Sequence, residues 1–403
     1  MRVKWQHPFS FYRRILVLQI FDFFAPCPRG LETVLEKELE ALAAKKIHVT
    51  DGGVAFSGPW TLMYKANLYS RVASRVLWKL VEKPYRSEDD IFRLARDTEW
   101  AEIFAVDNTI KVSVTAVRSP VRSTNFVALK VKDGICDRFR LKCGNRPSVD
   151  TEAPDMRINV YLSEKNVTLY LDTSGEPLFK RGYRVETGDA PLRENLAAGI
   201  LSLSGWTPDQ AFYDPMCGSG TFLVEAAMIA RRVAPGMDRQ FAFQKMRMFD
   251  QTFWNSILAE AKAQELSAAP NVIMGSDVSS TVLIHAKANI EAAGMQDSIQ
   301  LKQLNVLDAK PPAESGVWVC NPPYGARMDE KEHLATLYPQ WATVLKQRFA
   351  GWNTYFLTAD LDMPKHMRLK ASKRTVLFNG PLECRLFEYK MIAGGNRDKP
   401  KEE

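Results

Sequence analysis

Polar and apolar positions follow two rhythms along this chain. In PRGLETVLEKELEALAAKK, Leu31, Val34, Leu35, Leu39 and Leu42 recur at helical spacing among Glu and Lys, which predicts an amphipathic helix. It follows the apolar run ILVLQIFDFF, read as a strand, and precedes HVTDGGVAFSG, two alternating strands about a Gly-Gly turn. TLMYKANLYSRVASRVLWKLV carries the next helical pattern. The order β-α-β-β-α predicts a ferredoxin-like α+β domain over 20–86, after an extension of residues 1–19.

The pattern changes near residue 87. A helical stretch (EDDIFRLARDTEWAEIF), a strand (TIKVSVTAV), a helix (NFVALKVKDGICDRFRLKCG) and a hairpin (MRINVYLSEKNVTLYLD) form a second α+β block over 87–175. Residues 176–190 read as a linker, and a helix begins near Pro191. From Ala211 strands and helices alternate: AFYD, FLVEAAMIARRV, NVIMGSD, STVLIHAKANIEAAG, IQLKQLN, VWVCN, a helix, TYFLTAD. Such alternation predicts an α/β domain over 191–393 with a parallel sheet covered on both faces. Residues 394–403 read as a disordered polar tail. Residues 234–270 form a long insertion whose FQKMRMFDQTFW is expected to pack its aromatics inward on a surface helical excursion.

Charge sharpens this division. Of the net +7, residues 1–190 hold 30 Lys+Arg against 24 Asp+Glu, and residues 191–403 hold 24 against 23. Arg118, Arg122, Lys130, Lys132, Arg138, Arg140, Lys142 and Arg146 face only Asp133 and Asp137 within their segment. That block suits a phosphate-backbone partner, the alternative being a solvated face. Six cysteines without C-x-x-C or zinc spacing predict neither metal site nor disulfide framework, and a reduced cytoplasmic location. Arg13-Arg14 before an apolar run resembles a signal peptide. Asp22 interrupts that run, which is too short to span a bilayer, so no membrane partner is expected.

Two turns carry the candidate chemistry. Asp214, Pro215, Met216, Cys217, Gly218, Ser219, Gly220 and Thr221 link a strand to a helix, where a doubly wound sheet holds its cofactor. The third glycine of a dinucleotide turn and the Gly-Lys-Ser/Thr of a P-loop are both missing. Asp277, ending the next strand, can accept from ribose hydroxyls, and Asp308, after the third, from an adenine amino group. Together they describe a nucleoside site, although each Asp alone also suits a helix cap. In the second turn Asn321, Pro322, Pro323 and Tyr324 end a buried strand. An amide oxygen and a backbone carbonyl there can accept from an amino group, Pro323 stiffens the turn, and Tyr324 offers a stacking face.

In this order DPMCGSGT, GSD, NVLD and NPPY resemble the motifs of class I S-adenosylmethionine-dependent methyltransferases, Rossmann-like enzymes, in the form that methylates exocyclic amino groups of bases. APCPRGLE, LFKRGYRVETGDAPLRENLA and FYDPMCGSGTFLVEAA further resemble the THUMP-domain RNA methyltransferases typified by ribosomal RNA large subunit methyltransferase L. That resemblance covers about 20–392. It implies S-adenosylmethionine as cofactor, a THUMP RNA-binding domain over 87–175, and guanine-N2 methylation in 23S rRNA or a ribosomal precursor. It also places Arg193, Glu194 and Asn195 beside the methionine end of the cofactor. The longest members carry a second, guanine-N7 domain that has no counterpart here, so a single activity is expected. Adenine-N6 methylation of DNA, guanine-N2 methylation of tRNA and a non-catalytic assembly role are the competing readings.

Overall fold

The computed structural model describes residues 19–185, 192–323 and 328–392, the side chains of 328–333 excepted. The chain divides into two compact units. One comprises the residues up to Cys27, Leu35–Leu178 and Arg239–Ala259, and the other Pro28–Val34, Phe179–Asp238 and Glu260 onward.

The first unit is built on one seven-stranded sheet. Its elements are β1 (Phe21–Pro26), α1 (Glu32–Ala41, which begins in the second unit), β2 (Lys45–Thr50), β3 (Gly53–Gly58), α2 (Trp60–Tyr69), β4 (Leu77–Pro84), α3 (Glu88–Asp97), α4 (Trp100–Ile103), β5 (Ile110–Ala116), α5 (Thr124–Cys143), β6 (Met156–Leu162) and β7 (Asn166–Asp172). The strand order is β2-β3-β1-β4-β7-β6-β5. Only β5 and β6 run parallel, and every other neighbouring pair is antiparallel. Met156, Ile158, Val160 and Leu162 are buried at every second position of β6, as a strand covered on one face requires.

One expected helix is corrected. The helical pattern over 61–81 ends at Tyr69, and Leu77–Pro84 forms β4 instead. Its Leu, Trp and Val suit either period over so short a run. The pairing partner, β7, lies far along the chain and accepts β4 from Leu77↔Asp172 to Pro84↔Asn166. This strand completes the β-α-β-β-α-β order and carries the sheet onward, so the segments 20–86 and 87–175 share hydrogen-bonded strands. The helical stretch after residue 87 is likewise two helices, α3 and α4, with Thr98 in extended conformation between them.

The second unit continues with α6 (Glu194–Leu203), β8 (Ala211–Asp214), α7 (Thr221–Ala230), α8 (Gln251–Ala263, shared with the first unit), β9 (Ile273–Asp277), α9 (Ser280–Ala292), β10 (Gln300–Gln303), β11 (Gly316–Cys320), α10 (Met328–Arg348), β12 (Trp352–Thr358), α11 (Met363–Met367), β13 (Lys373–Asn379) and β14 (Leu382–Lys390). The order is β10-β9-β8-β11-β12-β14-β13. The first five strands are parallel, and β14 runs antiparallel to both neighbours. The β13–β14 hairpin is an addition to the order expected from sequence. Connection order reverses between β8 and β11, the position at which open α/β sheets bind their ligands.

Residues 239–259 lie within the methyltransferase-like stretch of sequence yet fold into the first unit. Phe241, Phe243 and Trp254 are buried there. The Tyr64 ring stands 4.8 Å from that of Phe243, 6.1 Å from those of Phe249 and Phe253, and 5.9 Å from Trp254. Asp250 N donates to the Tyr64 hydroxyl at 3.1 Å, and Arg247 N to the Ile103 carbonyl at 2.8 Å. The aromatics of FQKMRMFDQTFW therefore pack inward, where burial and ring contacts both stabilise them. Trp254→Ala should cost about 3–5 kcal/mol, read as a lower denaturant midpoint for the first unit by circular dichroism. An unshifted midpoint would mean that the ring cluster does not hold this segment.

Candidate functional site

β8 is buried along its whole length and ends at Asp214, whose Oδ1 accepts from Met216 N at 3.1 Å and so closes the turn on itself. The rest of the turn is tied to β9 and α9. Cys217 N donates to the Ser276 carbonyl at 2.9 Å and Gly218 N to Asp277 Oδ2 at 3.1 Å, while the Ser219 carbonyl accepts from Asn289 Nδ2 at 3.0 Å. The Tyr213 hydroxyl meets Ser276 Oγ at 2.8 Å, and Ser276 Oγ reaches the Pro215 carbonyl at 3.4 Å. Gly218 and Gly220 have φ of 54° and 83°, the left-handed region that glycine enters without a Cβ penalty. A Cβ on Gly220 would lie 3.4 Å from that of Ala286, whereas one on Gly218 would meet no atom within 4 Å. The turn is thus backed by α9 at Gly220 and open at Gly218.

Desolvation sets the protonation of this turn. Burial, and secondarily the charge of Asp277, push the Asp214 carboxyl well above its ordinary value. Burial, with Asp214 beside them, likewise raises the Cys217 and Cys320 thiols. Both remain unreactive thiols at neutral pH. Asp277 is half-buried, its Oδ1 accepting from Ser279 N at 3.0 Å and its Oδ2 from Gly218 N. Each oxygen keeps a further lone pair for a ligand hydroxyl. Asp308 ends a single turn of 3-10 helix after β10 and is exposed.

A cluster of charges from the linker clasps the first turn of α7. The Arg184 guanidinium donates from Nε to Glu194 Oε1 at 2.8 Å, and from Nη2 to the Leu192 carbonyl at 2.8 Å and Thr221 Oγ1 at 3.0 Å. Arg181 pairs with Glu225 at 3.4 Å, and the Tyr183 hydroxyl donates to the same carboxylate at 3.3 Å. Burial pushes the Glu194 carboxyl up, with Arg184 opposing, and pushes the Tyr183 hydroxyl well up. Glu194 and Asn195 are buried. Arg193 is exposed, and its guanidinium lies over the Phe179 ring, 5.0 Å from the centroid. Arg181, Tyr183, Arg184 and Glu225 are absent from the sequence-based expectation, because no local spacing distinguishes a buried ion pair from a surface one.

The second turn leaves from the strand next to β8. Trp318 on β11 is level with Tyr213 on β8, and Cys320 with Phe356 on β12. Asn321 therefore starts just beyond the carboxyl end of β8, one strand spacing of about 4.8 Å away. Asn321 is half-buried, Pro322 buried and Pro323 exposed. Tyr324 lies outside the described residues. The structure thus brings Asp214, Pro215, Cys217, Gly218, Ser219, Gly220, Thr221, Asp277 and Asn321–Pro323 to one edge of one sheet.

The eight basic residues do not form one patch. Arg118 and Arg122 precede α5, and Arg146 follows it, separated by a 20-residue helix of about 30 Å. Between them Lys130 pairs with Asp89 at 2.8 Å, Lys132 with Asp133 at 2.5 Å, Arg140 with Asp137 at 2.8 Å, Arg138 with Glu99, and Lys142 with Glu99 at 3.3 Å. Among the described residues, the Arg118, Arg122 and Arg146 side chains make no ion pair, and all three are exposed. Arg118 holds φ at 54°, which is strained for a residue with a Cβ. Among the described residues no group of three His, Cys, Asp or Glu could hold a metal ion, and no helix is long and apolar enough to cross a membrane.

Comparison with known proteins covers nearly all of this architecture. Residues 181–388 match the RMKL-like methyltransferase domain, 85–172 the THUMP domain, and 22–77 the RlmL ferredoxin-like domain. A Synechocystis sp. protein named as an RNA methyltransferase is 38% identical over 370 residues, which is 92% of this chain and 96% of that protein. Ribosomal RNA large subunit methyltransferase K/L of Methylococcus capsulatus is 38% identical over 374 residues, 91% of this chain. The chain spans about half the length of that relative, the match covering 50% of it. A crystal structure of a methyltransferase complexed with SAH, S-adenosylhomocysteine, superposes with a TM-score of 0.85 at 31% identity, covering 94% of this chain and all of the other.

The buried carboxyl at the end of β8 makes stability depend on pH. A raised folded value means that the contribution of Asp214 is fully present below the unfolded value near 3.8 and is lost as pH rises through the folded one. Asp214→Asn keeps an acceptor for Met216 N but removes the titration. Denaturant unfolding from acid to neutral pH should therefore show the variant gaining stability over wild type as pH rises. A pH-independent difference would contradict the assignment.

Proposed function

The chain belongs to the RMKL-like methyltransferase family, and from that premise we propose that it transfers a methyl group from S-adenosylmethionine to the exocyclic N2 amino group of a guanine in 23S ribosomal RNA. The observation that carries this reading is the pairing of β8 with β11, which sets the glycine turn and the Asn321 turn side by side at the switch point of the sheet. The open side of Gly218, beside a half-buried Asp277 with spare acceptor capacity, fits a nucleoside with an amino-acid arm. Residues 214–221 would cradle the cofactor, Asp277 would accept from its ribose, Asp308 from its adenine, and Glu194 and Asn195 would bound its methionine end. When bound, the cofactor supplies an electrophilic methyl group on a sulfonium.

The residues of this chain present the amine to it. An exocyclic amine is a poor nucleophile because its lone pair is delocalised into the ring. Asn321 Oδ1 and the Pro322 carbonyl accept its two N–H hydrogens and favour the geometry in which the lone pair is free. Pro323 removes backbone freedom, so that positioning entropy is spent on folding and not at each turnover. Tyr324 is the stacking partner for the base in this reading, worth about 1–3 kcal/mol against a cost of a few kcal/mol for flipping a paired base. Asn321 carries no charge, so the proton leaves after the amine has become cationic.

RNA reaches the site through the THUMP segment. Its unpaired cations Arg118 and Arg122, in the loop before α5, are the strongest candidates for phosphate contact, with Arg146 at the far end. Lys130, Lys132, Arg138, Arg140 and Lys142 would contribute only by exchanging their carboxylate partners for phosphates. A cytoplasmic location accompanies this reading.

Transfer of tritiated methyl to 23S rRNA from a strain lacking the protein, with N2-methylguanine identified by mass spectrometry, is the expected result. Methyladenine in DNA, or methylguanine in tRNA alone, would replace the substrate assignment, and no transfer to any RNA would end it. Asn321→Ala should slow transfer by about 10²-fold with S-adenosylhomocysteine binding unchanged by calorimetry. Parallel loss of both would show Asn321 to be a cofactor residue instead.

A further inference from the structure

We propose that the Asp360 carboxylate accepts from the N1–H of the target guanine and so sets the base preference of the site; this rests on the guanine-N2 reading above. In guanine N1 adjoins the 2-amino group across one ring carbon. A base held by that amine at Asn321 therefore turns its N1 toward a neighbouring element of the same edge. Within the second unit β11 has β12 as its neighbour, with Cys320 level with Phe356. β12 ends at Thr358, so Asp360 follows the adjacent strand out of the same carboxyl edge from which Asn321 leaves β11. Thr358 is buried, and its Oγ1 accepts from Asp360 N at 3.0 Å, which fixes the backbone at this exit.

The carboxylate is held in place without being neutralised. The Tyr338 hydroxyl of α10 donates to its Oδ2 at 2.9 Å, and Asp362 N to its Oδ1 at 2.9 Å. Tyr338 is buried, with its ring 5.2 Å from that of Trp341. Burial, and then the bond to Asp360, push the Tyr338 hydroxyl well up, so it remains a donor at neutral pH. Among the described residues Asp360 has no ion pair, and the nearby Lys365 pairs with Asp362 at 2.6 Å. Asp360 itself is half-buried, and each of its oxygens keeps a lone pair for a ligand. An ionised carboxylate can only accept. Guanine N1 carries a hydrogen and suits it, whereas adenine N1 carries a lone pair that would face a negative oxygen. Asn321 accepts from an amino group on any base, and Asp360 adds an acceptor that guanine satisfies and adenine does not.

Once mass spectrometry has located the target guanine, the test compares kcat/KM of the full chain on 23S transcripts ligated to carry guanine or 2-aminopurine at that one position. 2-Aminopurine keeps the 2-amino group and has a lone pair at N1 in place of the hydrogen. Wild type should prefer guanine by about 10–100-fold, the range of a hydrogen bond to a charged group. Asp360→Asn, whose amide can both accept and donate, should remove most of that preference, with S-adenosylhomocysteine affinity unchanged by calorimetry. Tyr338→Phe, which frees Oδ2 from its anchor, should fall between the two. The ratio between bases does not depend on the fraction of enzyme folded, so a role confined to shaping the turn would leave it unmoved. An Asp360→Asn variant that slows both bases equally, or a wild type without preference, overturns the proposal. A wild-type chain that methylates adenine, or no RNA at all, would instead remove the parent reading, which separates the two failures.

Discussion

The buried pair of Arg181 and Glu225 is the constraint on which the second unit turns. Its side chains are 2% and 0% exposed, and a desolvated charge that loses its partner costs about 3–5 kcal/mol. Glu225 stands one turn into α7, the helix that begins where the glycine turn ends. The linker cannot shift without stranding that carboxylate, and α7 cannot rotate without stranding the guanidinium. Tyr183 and Arg184 extend the lock to Glu225 and Thr221, so the segment before the domain sets the angle at which the turn is offered.

With α7 held, the sheet does the rest. Parallel strands put all their carboxyl ends on one edge, and the order reverses between β8 and β11, where sheets of this kind bind their ligands. The Asn321–Pro323 segment after one strand and the glycine turn after its neighbour leave the same edge because their registers are tied by backbone hydrogen bonds.

Much of this was legible beforehand, for local reasons. Gly218, Gly220, Pro322 and Pro323 restrict or free the backbone wherever they stand, so their turns could be located from the chain alone. The alternation of strands and helices after Ala211 was equally plain, because each element is long enough to show its period. Leu77–Pro84 was not, since a short apolar run satisfies either period until a distant strand selects one. The basic segment misled in a related way. Its net charge is a sum over sequence, whereas Asp89, Glu99 and Glu102 reach it only when α3 and α4 pack on α5.

The sequence by itself determined the fold class and the places where the backbone turns after β8 and β11, because these depend on periodicity and on the covalent character of Gly and Pro. Tertiary structure alone decided which cations of the basic segment are paired, that residues 239–259 join the first unit, and which strand Leu77–Pro84 pairs with. Ion pairing, ring burial and strand register are all settled between residues far apart in the chain. A one-dimensional pattern cannot encode a distance.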